Sequence, residues 1–87
     1  PYPGLPMPHR LLLVEDDRTL ARNLVDYLEL RGYVIDYAPD GFIAVNLLGE
    51  HAYDLIILDL GLPGIDGITL CKRYRCEMYG KAPVVML

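Results

Sequence analysis

Glu15, Asp16 and Asp17 stand in a row directly after the apolar run Leu11-Leu12-Leu13-Val14, and Asp59 directly follows a second such run, Leu55-Ile56-Ile57-Leu58. Carboxylates are natural ligands of a hard divalent cation, and an ionised aspartate can attack phosphorus without a general base. Together these residues could carry out metal-assisted phosphoryl acceptance, with Asp59 as the acceptor and Glu15 and Asp16 beside the ion. The chemistry requires two segments far apart in the chain to meet. Crowded carboxylates repel, one pair costing about 4 kcal/mol at ~4 Å and an effective dielectric near 20. Mg²⁺ would offset that cost, because it favours oxygen ligands, keeps several waters and commonly uses one or two carboxylates plus a substrate phosphate. Asp16 and Asp59 would ligate it directly and Glu15 through water. An anionic phosphate donor would be repelled by these acids without the ion, so metal binding and phosphoryl transfer form one mechanism.

The elements that must position these acids can be read from the periodicity. Leu11 to Val14 and Leu55 to Leu58 are short continuous apolar runs, as in parallel strands covered on both faces. Between them, Leu20, Leu24, Tyr27 and Leu28 recur at helical spacing, with Arg18, Arg22, Asp26 and Glu29 for the wet side, and Gly32 suits the helix C-terminus. Tyr33 to Ala38 reads as a strand. A second helix follows, capped by Asp40 and carrying Phe42, Ile43, Val45, Leu47 and Leu48 inward, with Gly49 expected to stop it. After the turn through Gly61, Pro63 and Gly64, Asp66 caps a third helix that sends Ile68, Leu70, Cys71 and Tyr74 to the core, and Pro83 to Leu87 forms a last strand.

Alternating strands and helices imply parallel pairing through right-handed crossovers. The expected fold is α/β, a flavodoxin-like doubly wound parallel sheet, incomplete at four of five strands, in the order 2-1-3-4. In such sheets ligands bind beyond the carboxyl ends of the strands, where Glu15, Asp16 and Asp59 all fall. Residues 1–10 carry Pro1, Pro3, Pro6 and Pro8 with no periodicity and read as a disordered leader, with Met7 a candidate natural start. Residues 11–87 form the domain, expected to be the N-terminal part of a longer one.

L-L-L-V-E-D-D at 11–17 and D-L-I-I-L-D-L-G-L-P-G-I-D-G at 54–67 closely resemble the receiver domain of bacterial response regulators, over about residues 10–87. The resemblance implies that Glu15 and Asp16 are the acidic pair, Asp59 the aspartate phosphorylated by a partner histidine kinase, and the Gly61 carbonyl a third protein ligand of Mg²⁺. The L-P-G-x-D-G wording is most similar to the winged-helix transcriptional subgroup, which implies control of transcription through a DNA-binding output domain absent from this segment. Receivers place a Ser or Thr just after the fourth strand and a Lys at the end of a fifth. The sequence stops at Leu87 before either, and Lys72 and Lys81 fall elsewhere, so weak acceptor chemistry without signal output is expected of the 87 residues.

Plainer and rival readings stand beside this one. Acids after a strand often serve only as helix caps, and Asp17 fits that role. His51 reads as a surface residue rather than a phosphoryl relay. An aspartate-nucleophile phosphatase of the haloacid dehalogenase type would need a second Asp two residues after the nucleophile, where this chain has Gly61. A flavodoxin-like cofactor binder would need a Gly/Ser/Thr-rich loop after the first strand, and this loop is acidic. A fragment assembling through its open fourth strand, as a homodimer or by segment exchange, is the remaining alternative. The formal charge of −4, with no basic cluster larger than Lys72, Arg73 and Arg75, argues against nucleic-acid binding by this segment. The apolar runs are too short to span a bilayer, and Cys71 and Cys76 face about 140° apart on a helix, so no membrane, reduced thiols and a cytoplasmic location are expected. The chain is expected to be a signalling module and not an enzyme.

Overall fold

The computed structural model describes residues 8–87. Along the chain run β1 (Arg10–Val14), α1 (Arg18–Leu30), β2 (Val34–Ala38), α2 (Gly41–Glu50), β3 (Leu55–Leu58), α3 (Gly67–Cys76) and β4 (Val84–Met86). The four strands pair in parallel in the order β2-β1-β3-β4, as expected for a doubly wound sheet. Residues 1–7 of the expected leader lie outside the described residues. Arg10 does not belong to a leader, because it opens β1: its N–H donates to Asp54 Oδ2 at 2.8 Å and its guanidinium reaches Asp36 Oδ2 at 2.8 Å.

β1 is buried along its apolar length because both faces of the sheet are covered there. Leu12 and Val14 join Ile56 and Leu58 beneath α2 and α3, in a core with Ala44, Leu70 and Tyr74. Leu11 and Leu13 face the other way, toward α1, whose Ala21 is fully buried. This alternation is the period-two geometry of a strand acting in two cores at once. Removing these side chains from water is the main favourable term in the fold.

The helices begin where their caps dictate. Asp17 accepts from the N–H groups of Thr19 and Leu20, both at 3.1 Å, while Asp40 accepts from Ile43 and Asp66 from Thr69, each at 2.9 Å. Each carboxylate satisfies N–H groups that have no partner within the first turn and favours the positive end of the helix dipole. Gly32, at φ +92°, follows the end of α1 in the left-handed region that only glycine adopts freely.

Several expected packing positions come out differently. Leu20 and Tyr27 of α1 are exposed, since the small Ala21 makes the close approach to the sheet. Phe42 and Ile43 of α2 are exposed for the same reason, Ala44 being the buried residue there, and Ile68 of α3 lies one position off the face set by Leu70 and Tyr74. Gly49 does not stop α2, which continues through Glu50 to a cap at His51. Terminal packing alone does not require glycine to break a helix when the backbone hydrogen bonds can close around it.

Gly41 and Gly67 instead mark close approaches to neighbouring backbone. A methyl group on Gly41 would meet Ile65 at 2.8 Å, and one on Gly67 would lie 2.9 Å from the Asp59 carbonyl oxygen and 3.0 Å from Leu60 Cα. The start of α3 is therefore pressed against the backbone of the acid that follows β3. Gly67→Ala is expected to destabilise the fold by about 1–3 kcal/mol, because backbone cannot swing aside as a side chain can. Gly49→Ala, with only the Met78 methyl as near as 4.0 Å, is expected to stabilise it by about 0.5–1 kcal/mol through helix propensity. Urea unfolding of the two variants checks both signs.

Candidate metal and phosphoryl site

The site follows from strand register. Val14 pairs with Ala38 of β2 and with Leu58 of β3, so the three strands end level and their next residues emerge together. The Glu15 N–H extends the ladder to the Ala38 carbonyl at 3.1 Å, and the Asp59 N–H extends it to the Val14 carbonyl at 3.0 Å. Backbone hydrogen bonds alone thus bring the two acidic loops side by side at the carboxyl edge of the sheet. One carboxylate oxygen from each of Glu15, Asp16 and Asp59 lies within 4.8 Å of the others.

The three acids occupy different surroundings. Glu15 is the buried polar residue of the described core region, at 4% exposure, whereas Asp16 is exposed and Asp59 half-buried. Burial pushes the Glu15 carboxyl up to about 7, aided by its hydrogen bond to Asp59 and by the Asp59 charge. Asp59 moves the opposite way: the bond from Glu15, and then the Gly61 N–H donating to Asp59 Oδ1 at 3.0 Å, hold it below the ordinary range. Where like charges crowd and no cation stands between them, one site takes the proton and the other keeps its charge. Asp59 therefore stays anionic while Glu15 takes up the proton.

These residues fit a hard cation. All donors are carboxylate oxygens, they come from two loops and leave one side open to solvent, and opposite ligands of an octahedral Mg²⁺ lie about 4 Å apart. The 4.8 Å spread of their oxygens is close to that separation.

The expected site residues fall as follows. Glu15, Asp16 and Asp59 converge. Gly61 sits next to them and contributes its N–H to Asp59, and alanine there would be accommodated, its Cβ 3.8 Å from Asp59 Oδ1. Asp17 stands apart as the cap of α1. His51 lies at the opposite end of the sheet, 3.8 Å from Glu50 and removed from the acids. Cys71 and Cys76 are free thiols. Two features were not legible in advance. The Tyr37 hydroxyl donates to the Glu15 carbonyl at 2.6 Å. Below the site, Asp36 accepts from both Arg10 Nε at 2.9 Å and the Tyr53 hydroxyl at 2.6 Å, tying β1, β2 and the approach to β3 together. The signal for both was the polar residue inside β2, but its partners depend on which strand lies beside it.

Comparison with known proteins adds the family. Residues 11–87 match the response regulator receiver domain family. The transcriptional regulatory protein PmrA of Pectobacterium parmentieri is 44% identical over 78 residues, which cover 90% of this chain and 35% of that protein. The crystal structure of a putative response regulator from Chloroflexus aurantiacus superposes with a TM-score of 0.86 at 42% identity, over 92% of this chain and 66% of that one. The response regulator TrrA of Thermotoga maritima, solved in complex with Mg²⁺ and BeF, gives a TM-score of 0.80 at 32% identity, over 92% of this chain and 70% of that one. The chain spans about a third or less of the length of the curated relatives it matches. Among the described residues no helix is long and apolar enough to cross a membrane. With two acidic loops joined at the carboxyl edge of a 2-1-3-4 parallel sheet and a family match along nearly its whole length, the chain belongs to the response regulator receiver domain family.

Proposed function

We propose that this chain is a phosphoryl-accepting receiver module in which Asp59 takes a phosphoryl group from a partner histidine kinase, with Mg²⁺ held by Glu15, Asp16, Asp59 and the Gly61 carbonyl. The observation that carries the reading is the convergence of Asp59 with Glu15 and Asp16 within 4.8 Å. The related TrrA, solved in complex with Mg²⁺ and BeF, supports the presence of an ion in this chain's reaction.

In the proposed reaction an Asp59 carboxylate oxygen attacks phosphorus and an acyl phosphate O–P bond forms as the P–N bond of the donor phosphohistidine breaks. The departing imidazole nitrogen takes a proton. When bound, Mg²⁺ neutralises charge on the phosphoryl oxygens and orients them for in-line displacement. Asp59 enters as an anion because Glu15 and the Gly61 N–H hold it so. The reading makes the chain a signalling module rather than a multiple-turnover enzyme, and its free thiols accord with a cytoplasmic setting. Transcriptional relatives such as PmrA support control of transcription as the output, with DNA contacts falling outside these acidic 87 residues.

Incubation with Mg²⁺ and acetyl phosphate is expected to give a single phosphoryl adduct on intact-mass measurement, absent from Asp59→Asn and absent when Mg²⁺ is chelated. Without metal at pH 8, Asp59→Asn is expected to melt about 3–6 °C above the wild type, since it removes the charge facing Glu15. A labelled Asp59→Asn chain would move the acceptor elsewhere.

The raised Glu15 carboxyl also fixes a pH dependence. An unfolded Glu titrates near 4.5 and the folded Glu15 near 7. The folded state thus holds the extra proton between these values, and the metal-free fold loses stability as pH rises through that window and levels off above it. Mg²⁺ must displace the same proton. Its dissociation constant, measured by calorimetry, is expected to weaken about tenfold per pH unit below 7 and to be flat above pH 8. An affinity independent of pH from 5.5 to 8 would remove Glu15 from the site.

A further inference from the structure

Glu15 is gripped by β2 on both sides of its backbone. Its N–H donates to the Ala38 carbonyl at 3.1 Å, and its carbonyl accepts the Tyr37 hydroxyl at 2.6 Å. That carbonyl and the N–H of Asp16 belong to one rigid peptide plane. The Asp16 N–H in turn donates to Glu15 Oε2 at 3.0 Å. Two hydrogen bonds therefore set the orientation of the Glu15–Asp16 peptide. One comes from Tyr37. The other is made by the carboxylate that the proposed site commits to a cation.

A carboxylate oxygen that turns toward an ion, directly or through water, gives up its alignment with a backbone N–H one residue away. The Tyr37 hydroxyl does not face that conflict, because it binds the opposite edge of the plane. It comes from β2, whose position is fixed by the ladder Leu13↔Tyr37 and Val14↔Ala38. Its ring is half-buried and lines an open groove with Arg18, Ala21 and Arg22 of α1, so the phenol is held by its strand and by its hydrogen bond to Glu15. We infer that Tyr37 is a positioning residue for the divalent-cation site: its hydroxyl fixes the Glu15–Asp16 peptide, and with it the two carboxylates that follow β1, while touching neither the ion nor Asp59. The inference rests on the metal reading proposed above and adds the residue that makes the acidic loop stiff enough to bind.

Tyr53 supplies an internal comparison. Its hydroxyl also makes a 2.6 Å hydrogen bond to β2, to Asp36, whose side chain projects from the other face of that strand and away from the acids. Tyr37→Phe and Tyr53→Phe each remove one hydroxyl and keep the ring. Only the first should loosen the acidic loop.

The test is Mg²⁺ calorimetry on the wild type and both variants, followed by acetyl phosphate labelling across a Mg²⁺ series. Tyr37→Phe is expected to weaken the Mg²⁺ dissociation constant about three- to tenfold, the worth of one hydrogen bond. The Mg²⁺ concentration for half-maximal labelling should rise by the same factor, with the rate at saturating Mg²⁺ preserved because Asp59 is untouched. Tyr53→Phe should lower the melting temperature and leave the Mg²⁺ constant unchanged. Wild-type binding with an unaltered constant in Tyr37→Phe, or equal weakening in both variants, would overturn the role of Tyr37 alone. A wild type that binds no Mg²⁺ would overturn the metal reading beneath it. In the wild type itself, nuclear magnetic resonance is expected to find the Tyr37 hydroxyl proton protected from exchange with and without Mg²⁺, and loss of protection on adding the ion would equally overturn the assignment.

Discussion

The structure depends on forcing together carboxylates that repel one another. Glu15, Asp16 and Asp59 are held within 4.8 Å by a parallel ladder that ends level on three strands, and no side-chain cation among the described residues is ion-paired to them. Rather than relax apart, the site shifts its protonation, with Glu15 raised to about 7 and Asp59 lowered. A fold that tolerates this must draw its stability from elsewhere. The opposing term is the burial of Leu11 to Val14 on both faces of the sheet, with Ile56 and Leu58 beside them.

The same constraint explains why the surroundings of the acids are so closely made. Gly67 lets α3 begin against the Asp59 backbone, Gly61 supplies an N–H to its carboxylate, and Tyr37 and Ala38 hold both polar groups of the Glu15 backbone. Apart from the Tyr37 phenol each of these contacts is made by backbone, so the carboxylates project from a frame tied directly to the sheet. In the proposed function a small hard cation would take the place of the Glu15 proton and offset the charge that these carboxylates carry together above its titration. Preorganisation and electrostatic strain are here two aspects of one arrangement.

Much of this was legible from residue order. The runs before Glu15 and Asp59 marked them as strand ends, the alternation of elements implied the parallel sheet, and Asp17, Asp40 and Asp66 announced three helix starts. Other features were not. The helix faces at Leu20, Phe42 and Ile68 differ from those that periodicity implies, because small residues such as Ala21 and Ala44 make the closest approaches and periodicity weighs bulk over fit. Gly49 suggests a stop by residue type, yet α2 runs on to Glu50 because the His51 N–H still closes onto the Leu47 carbonyl. Tyr37 and Asp36 were invisible as partners, since a polar side chain in a strand acquires meaning only from the strand beside it.

The proposed site shares one divalent ion between the loops after β1 and β3. Crystals grown with Mn²⁺ in place of Mg²⁺ locate the ion by its anomalous scattering. A single strong peak is expected at the carboxyl edge of the sheet, in contact with Asp16 and Asp59 and within one water of Glu15. A peak held by other acids, such as Asp36 and Asp54 at the opposite end of β1, or no peak between Asp16 and Asp59 at saturating Mn²⁺, would contradict it.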